Sequence, residues 1–250
     1  MSKTARYSLQ RYERQMMIEG FGREGQEHLK KAKVVVAGAG GLGSVVSIYL
    51  AVAGVGKIRL IDHDKVKLTD LNRQILYEDK DVGKGKVDSG KEKLESLNPE
   101  VMVETVSEKI TESSVLELVD GHDLIVDATD NFATRYILNK VAVNRDLPFF
   151  HGAVGGFEGR ATTIIPGQTA CLKCLYRRAP QPAVIPVIGV TPAVIGSIQA
   201  AEVVKYIVGI GDLLTNRLLI YDGLSLEFMV IKLKRHPDCE ECRHLAGSRE

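Results

Sequence analysis

The apolar run Lys33–Ala37 (KVVVA) passes directly into the glycine-rich turn GAGGLG at Gly38–Gly43. An apolar, small-residue stretch, Ser44–Ala53, follows and is expected to be helical. A short buried strand that must become a helix within one turn leaves few options. The chain has to lay its helix back on a parallel sheet. Gly38, Gly40 and Gly43 match GxGxxG in that strand-to-helix context. Gly40 and Gly41 let the backbone approach phosphate oxygens closely, and the helix N-terminus offers unpaired N–H groups and partial positive charge. Asp62 ends a second apolar run, Ile58–Asp62 (IRLID), and is placed to accept hydrogen bonds from ribose hydroxyls. NAD and ATP both carry ribose and phosphates, so these features leave the nucleotide open.

The rest of the first half continues the alternation. Residues 8–31 read as polar and helical, interrupted by Gly20, Gly22 and Gly25. Lys86–Leu97 is amphipathic and stops at Asn98-Pro99, Val101–Val106 is a strand, and Thr111–Val119 a helix. Asp123–Ala128 (DLIVDA) is a further buried strand, followed by a helix over Asn131–Val143 and a strand over Pro148–His151. Near-continuous apolar strands alternating with helices predict an α/β, Rossmann-like, doubly wound and mostly parallel sheet. After Gly155 the pattern changes. Arg160–Ile165, Arg217–Tyr221 and Glu227–Lys234 are expected to pair antiparallel, with a long helix, Pro192–Val208, between them. One domain over 1–250 with a C-terminal antiparallel extension is the expectation.

Lysine plus arginine (33) nearly balances aspartate plus glutamate (32), so the chain carries no electrostatic footprint for nucleic acid or a membrane surface. The N-terminal MSKTARYSLQRYERQ has no apolar core of a signal peptide. The uncharged run Ala179–Ala201 contains Pro180, Pro182, Pro186 and Pro192, which fits a loop leading into a buried helix better than a membrane span. A cytoplasmic chain with no nucleic-acid or membrane partner is expected.

The loop between Thr69 and Gly85 narrows the choice of nucleotide. It concentrates charge, and with its flanks supplies Asp64, Asn72, Arg73, Gln74 and Lys86. A triphosphate carries about four negative charges and its departing pyrophosphate needs fixed cations and usually magnesium. Arg73 and Lys86 are such cations. Asp130, in DATDN at Asp127–Asn131, is a hard oxygen donor at the carboxyl edge of the sheet, although it could also serve only as a helix cap.

RYERQ (Arg11–Gln15), GAGGLG, LIDHD (Leu60–Asp64), LNRQ (Leu71–Gln74), VGKGK (Val82–Lys86) and DATDN together resemble the ThiF/MoeB/HesA family. Its members are prokaryotic relatives of ubiquitin-activating enzymes. The resemblance implies ATP-dependent adenylation of the C-terminal glycine of a ubiquitin-like sulfur carrier. It assigns Gly41, Asp62, Asn72, Arg73 and Lys86 to ATP and Asp130 to magnesium. It also sends Arg14 to the triphosphate of a second subunit, hence a homodimer. The expected nucleotide set is thus Gly38, Gly40, Gly41, Gly43, Asp62, Asp64, Asn72, Arg73, Gln74, Lys86, Asp130 and Asn131. Arg14, Arg73, Lys86 and Asp130 act on the phosphates. Residues 1–155 form the nucleotide-binding half and 156–250 the carrier-binding half.

All four cysteines lie in CxxC pairs, Cys171/Cys174 and Cys239/Cys242. That is the ligand set of a closed structural zinc site, stapling the C-terminal extension to the body. His236 and His244 flank the second pair as possible substitutes. Many family members carry a further cysteine after the first pair. Leu175–Gln199 has none, which departs from the ThiF-like pattern and favours a MoeB-like role ending at the acyl-adenylate. A separate sulfur donor would then attack it. The rival expectations are an NAD-dependent oxidoreductase, a non-catalytic adaptor, and an enzyme that adenylates a tRNA nucleoside.

Overall fold

The computed structural model describes residues 9–179 and 185–245. One eight-stranded sheet runs through them in the order β3-β2-β1-β4-β5-β6-β7-β8. The strands are β1 (Lys33–Ala37), β2 (Lys57–Ile61), β3 (Met102–Val106), β4 (Leu124–Asp127), β5 (Phe149–Gly155), β6 (Glu158–Ile164), β7 (Arg217–Asp222) and β8 (Glu227–Lys232). The first five pair in parallel. From β5 onward the pairing is antiparallel, as the change of pattern after Gly155 requires.

The central strands β1 and β4 are apolar and buried almost throughout because helices cover both faces, whereas β2 and the edge strand β3 carry the ion-paired Arg59 and Glu104. On one face lie α2 (Gly22–Lys31), α3 (Gly41–Ala53), α4 (Lys86–Leu97) and the long α8 (Val190–Val208), around Leu29, Val46, Leu50, Leu60, Leu94, Phe150 and Ile195. On the other lie α5 (Val115–Val119), α6 (Phe132–Arg145) and the short α7 (Leu172–Leu175), around Ile61, Ile125, Leu138, Phe149 and the cysteines. Each such large side chain contributes about 1.5–3 kcal/mol.

Several boundaries moved for physical reasons. The 8–31 segment holds a four-residue helix α1 (Glu13–Met16) and α2, parted where Gly20 and Gly22 take positive φ. α3 starts at Gly41 rather than Ser44, because glycine's poor helix propensity hides the first turn. Residues 111–114 are not helical: Thr111 and Ser114 exchange backbone-to-hydroxyl hydrogen bonds, leaving α5 to begin at Val115. The proline-rich loop before α8 includes 180–184, which lie outside the described residues. No helix among the described residues is long and apolar enough to cross a membrane.

Candidate nucleotide site and cysteine cluster

β1 leads to β2 on one side of the sheet and β4 lies on the other, so the strand order reverses between β1 and β4. A crevice opens at the carboxyl ends of strands at such a point. The glycine turn follows β1 and the DATDN loop follows β4, so both border that crevice. Gly38 has φ +99°, and a Cβ there would lie 2.6 Å from the Ala128 carbonyl oxygen. At Gly43 a Cβ would lie 1.9 Å from the Gly38 carbonyl oxygen, so α3 can enter this closely only as glycine. Gly40 is the N-cap of α3 and no side chain caps the helix, so its first N–H groups have no side-chain partner.

The other expected residues join the turn through a chain of contacts. Asp62 lies just beyond β2 and accepts from the Ala39 N–H at 2.9 Å through Oδ2 and from the Asp64 N–H at 2.9 Å through Oδ1. Asp64 faces Lys86 Nζ at 3.4 Å, and Lys86 lies 4.0 Å from Asp70. Asp70 accepts from Gln74 at 3.0 Å and faces Arg73 at 3.4 Å. Arg73 also donates to Asn72 Oδ1 at 2.9 Å and to the Thr69 carbonyl at 2.8 Å. Gln74 is buried beneath Gly40, and its Oε1 has no partner among the described residues. Tyr77, absent from the sequence reading, donates to the Ala39 carbonyl at 2.7 Å. Burial, then the charges of Asp62 and Asp70, push its hydroxyl up, so it stays a donor.

Lys86 is buried, its side chain 7% exposed, so it is a cation held against Asp64 and Asp70 and not a solvated surface charge. Asp130 is exposed at the tip of the DATDN loop. The cap of α6 is Asn131, whose Oδ1 accepts from the Thr134 N–H at 2.9 Å. Asp130 is therefore not spent on capping. Arg14 is exposed on α1. Its neighbours do the anchoring: Tyr12 meets Asn98, and Gln15 donates to the Ala53 carbonyl at the C-terminus of α3.

The four cysteine Sγ atoms lie within 4.8 Å of one another. Cys171–Cys239 and Cys174–Cys242 are 3.6 Å apart and Cys171–Cys174 3.9 Å. Four sulfurs bound tetrahedrally at zinc's usual bond length stand about 3.8 Å apart, so the spacing fits. Burial pushes the Cys171 thiol up and raises that of Cys242 to about 12. Burial opposes the Cys239 thiolate too, but backbone hydrogen bonds outweigh it and pull that thiol down, and a bound cation would favour the thiolate form of all four. Neither flanking histidine belongs to the cluster, although the His236 N–H donates to Cys174 Sγ at 3.3 Å.

The ThiF family model matches residues 12–241, nearly the whole described chain. The chain belongs to the ThiF family. Among its relatives in that family, the SAMP-activating enzyme E1 of Haloferax volcanii is 42% identical over 94% of this chain and 88% of its own length. The sulfur carrier protein adenylyltransferase of Thermus thermophilus is 42% identical over 97% of this chain and 93% of its own. The crystal structure of E. coli MccB with ATP superposes with a TM-score of 0.79 at 29% identity, covering 88% of this chain and 69% of that one.

This ThiF-family chain also has a buried polar cluster that its sequence did not reveal. Asp127, Arg135 and His151 meet beneath the DATDN loop, with His151 Nδ1 2.7 Å and Arg135 Nε 3.6 Å from Asp127 Oδ2. Burial opposes the charge of Asp127, but the His151 hydrogen bond and Arg135 outweigh it and hold the carboxyl below its usual range. Burial likewise pushes the His151 imidazole down, so a neutral ring donates to an ionised carboxylate. The only local signal was the first aspartate of DATDN, an acid inside an apolar strand.

Proposed function

We propose that the protein uses ATP to adenylate the C-terminal glycine carboxylate of a ubiquitin-like sulfur carrier, releasing pyrophosphate. The observation that carries this reading is the contact chain from the glycine turn through Asp62, Asp64, Lys86 and Asp70 to Arg73. Its two cations lie beyond an acid at the end of β2, an order that supports a triphosphate over a dinucleotide. Relatives named for activating SAMP and a sulfur carrier protein support the substrate class.

A C-terminal carboxylate has a pKa near about 3.5 and is already ionised, so no general base is required. The obstacle is an anion approaching a polyanion in line with the α-phosphorus. Catalysis is therefore positioning and charge neutralisation. In this reading the uncapped N-terminus of α3 holds phosphate oxygens, Asp62 takes the ribose, and Arg73 and Lys86 face the triphosphate. Asn72, Gln74 and Asn131 complete the polar lining.

The contact chain itself carries three carboxylates, Asp62, Asp64 and Asp70, against two cations, Lys86 and Arg73. Closing it on a triphosphate calls for more positive charge. Asp130 would hold magnesium, which screens the phosphates, and Arg14 of a second protomer would add a cation, making the working unit a homodimer. The cysteine cluster would hold structural zinc. Free cysteines grouped this way suit a reducing, cytoplasmic setting.

All four cysteines are taken by that cluster, so the acyl-adenylate would pass to a separate sulfur donor without an enzyme thioester. The test is ATP–pyrophosphate exchange with the ubiquitin-like Gly-Gly proteins of the source cell. An intact carrier should stimulate it and the same carrier lacking its last glycine should not. Equal stimulation by both would refute the reading, and a thiol-sensitive adduct on a denaturing gel would refute the non-covalent step.

A further inference from the structure

Asp130 stands at the exposed end of a loop whose shape is set from below. Asp127 Oδ1 accepts from both the N–H and the hydroxyl of Thr129, at 3.1 and 2.7 Å. Arg135 donates to the Thr129 carbonyl at 2.6 Å. The residue before Asp130 is thus held at its N–H, its side chain and its C=O. Arg135 and Asp127 in turn lean on His151 and on the first turn of α6.

That support continues into the cysteine cluster through one ring. Tyr176 follows Cys174 by two residues and ends α7. Its ring meets Phe132, the first residue of α6, edge-on at 5.1 Å, and His151 edge-on at 5.9 Å. The Arg135 guanidinium lies over the Phe132 ring at 5.1 Å. Tyr136 donates its hydroxyl to the Tyr176 carbonyl at 2.8 Å, and one helical turn on, Asn139 accepts from the Leu172 N–H at 2.8 Å. The first CxxC therefore lies along α6 from Asn139 to Phe132, two residues from Asp130.

We propose that Tyr176 is a positioning residue for Asp130, carrying the rigidity of the four-cysteine cluster into the loop that presents that carboxylate. The inference rests on the assignment of Asp130 to magnesium. Truncating the ring leaves a void between Phe132 and His151. The first turn of α6 can then shift, Arg135 with it, and the grip on Thr129 loosens. Asp62 and Ala39 are held to each other and to Tyr77 instead, so ribose binding is spared.

The experiment uses the full chain with a ubiquitin-like Gly-Gly carrier, titrating free magnesium in ATP–pyrophosphate exchange and measuring zinc per chain. Tyr176→Ala should raise the half-saturating magnesium about tenfold while zinc content and the KM for ATP at saturating magnesium hold. Tyr176→Phe, which keeps the ring, should restore the wild-type curve. An unmoved magnesium curve in Tyr176→Ala, with only a lower Tm, overturns the proposal. If Tyr176→Ala does not fold, Tyr136→Phe removes only the hydroxyl bond to Tyr176 and must shift the curve in the same direction. Asp130→Asn separates the two levels. If it moves the curve and Tyr176→Ala does not, this inference alone fails; if it does not move the curve, the magnesium assignment fails and this inference with it.

Discussion

Asp62 accepts a hydrogen bond from the backbone N–H of Ala39 at 2.9 Å, so the acid at the end of β2 is bonded to the glycine turn at the end of β1. One carboxylate shapes the turn and, in the proposed function, also takes the ribose. Asp62→Ala should therefore raise the KM for ATP about 10- to 100-fold, the worth of one charge-assisted hydrogen bond. An ATP titration that leaves KM within twofold of wild type, about 0.4 kcal/mol, removes Asp62 from the site.

Lys86 and Arg73 should separate by stability. Lys86 is buried between Asp64 and Asp70, whereas Arg73 is partly exposed. Lys86→Ala takes a cation from the buried Asp70, leaving it Gln74, the Lys67 N–H and Arg73, and should cost about 1–3 kcal/mol in denaturant unfolding. Arg73→Ala should cost less than about 1 kcal/mol. Equal losses contradict the described burial.

His151 should shape the acid limb of stability. The folded chain holds its imidazole neutral, while the unfolded chain takes up a proton near about pH 6.5. Below that pH the unfolded state binds the extra proton, so the contribution is complete above it and is lost as pH falls. Thermal unfolding between pH 7 and 5 should show a steeper fall for wild type than for His151→Gln. His122, also pushed down by burial, keeps its share in both. Parallel slopes would argue that His151 titrates normally.

The cysteine cluster should bind metal and support the fold. Metal analysis of freshly purified protein should find about one zinc per chain. Cys239→Ser with Cys242→Ser should lose it and lower Tm by about 6–12 °C, the equivalent of roughly 3 kcal/mol. A zinc-free wild type, or a Tm that does not move, rejects the site.

Much of this was legible in the sequence, for a physical reason. The central parallel strands are covered on both faces, so β1 and β4 read as apolar runs bounded by turns, and β1 and α4 fell on the expected residues. The glycine turn, Asp62 and Asp130 follow the ends of β1, β2 and β4, where sequence order and spatial order agree. Lys86 was legible as a cation but not as a buried one, because nothing local shows that Asp64 and Asp70 fold back against it. The contact between Asp127 and His151 spans two strands and a helix, and no periodicity records it. The start of α3 was hidden by the glycines that close packing demands.

The central claim is that this crevice activates a carrier's carboxylate with ATP. Carrier-stimulated ATP–pyrophosphate exchange in Arg73→Ala and in Asp130→Ala measures it most directly. Both variants should lose exchange by at least about 100-fold while remaining folded. Near wild-type exchange in both would contradict the account.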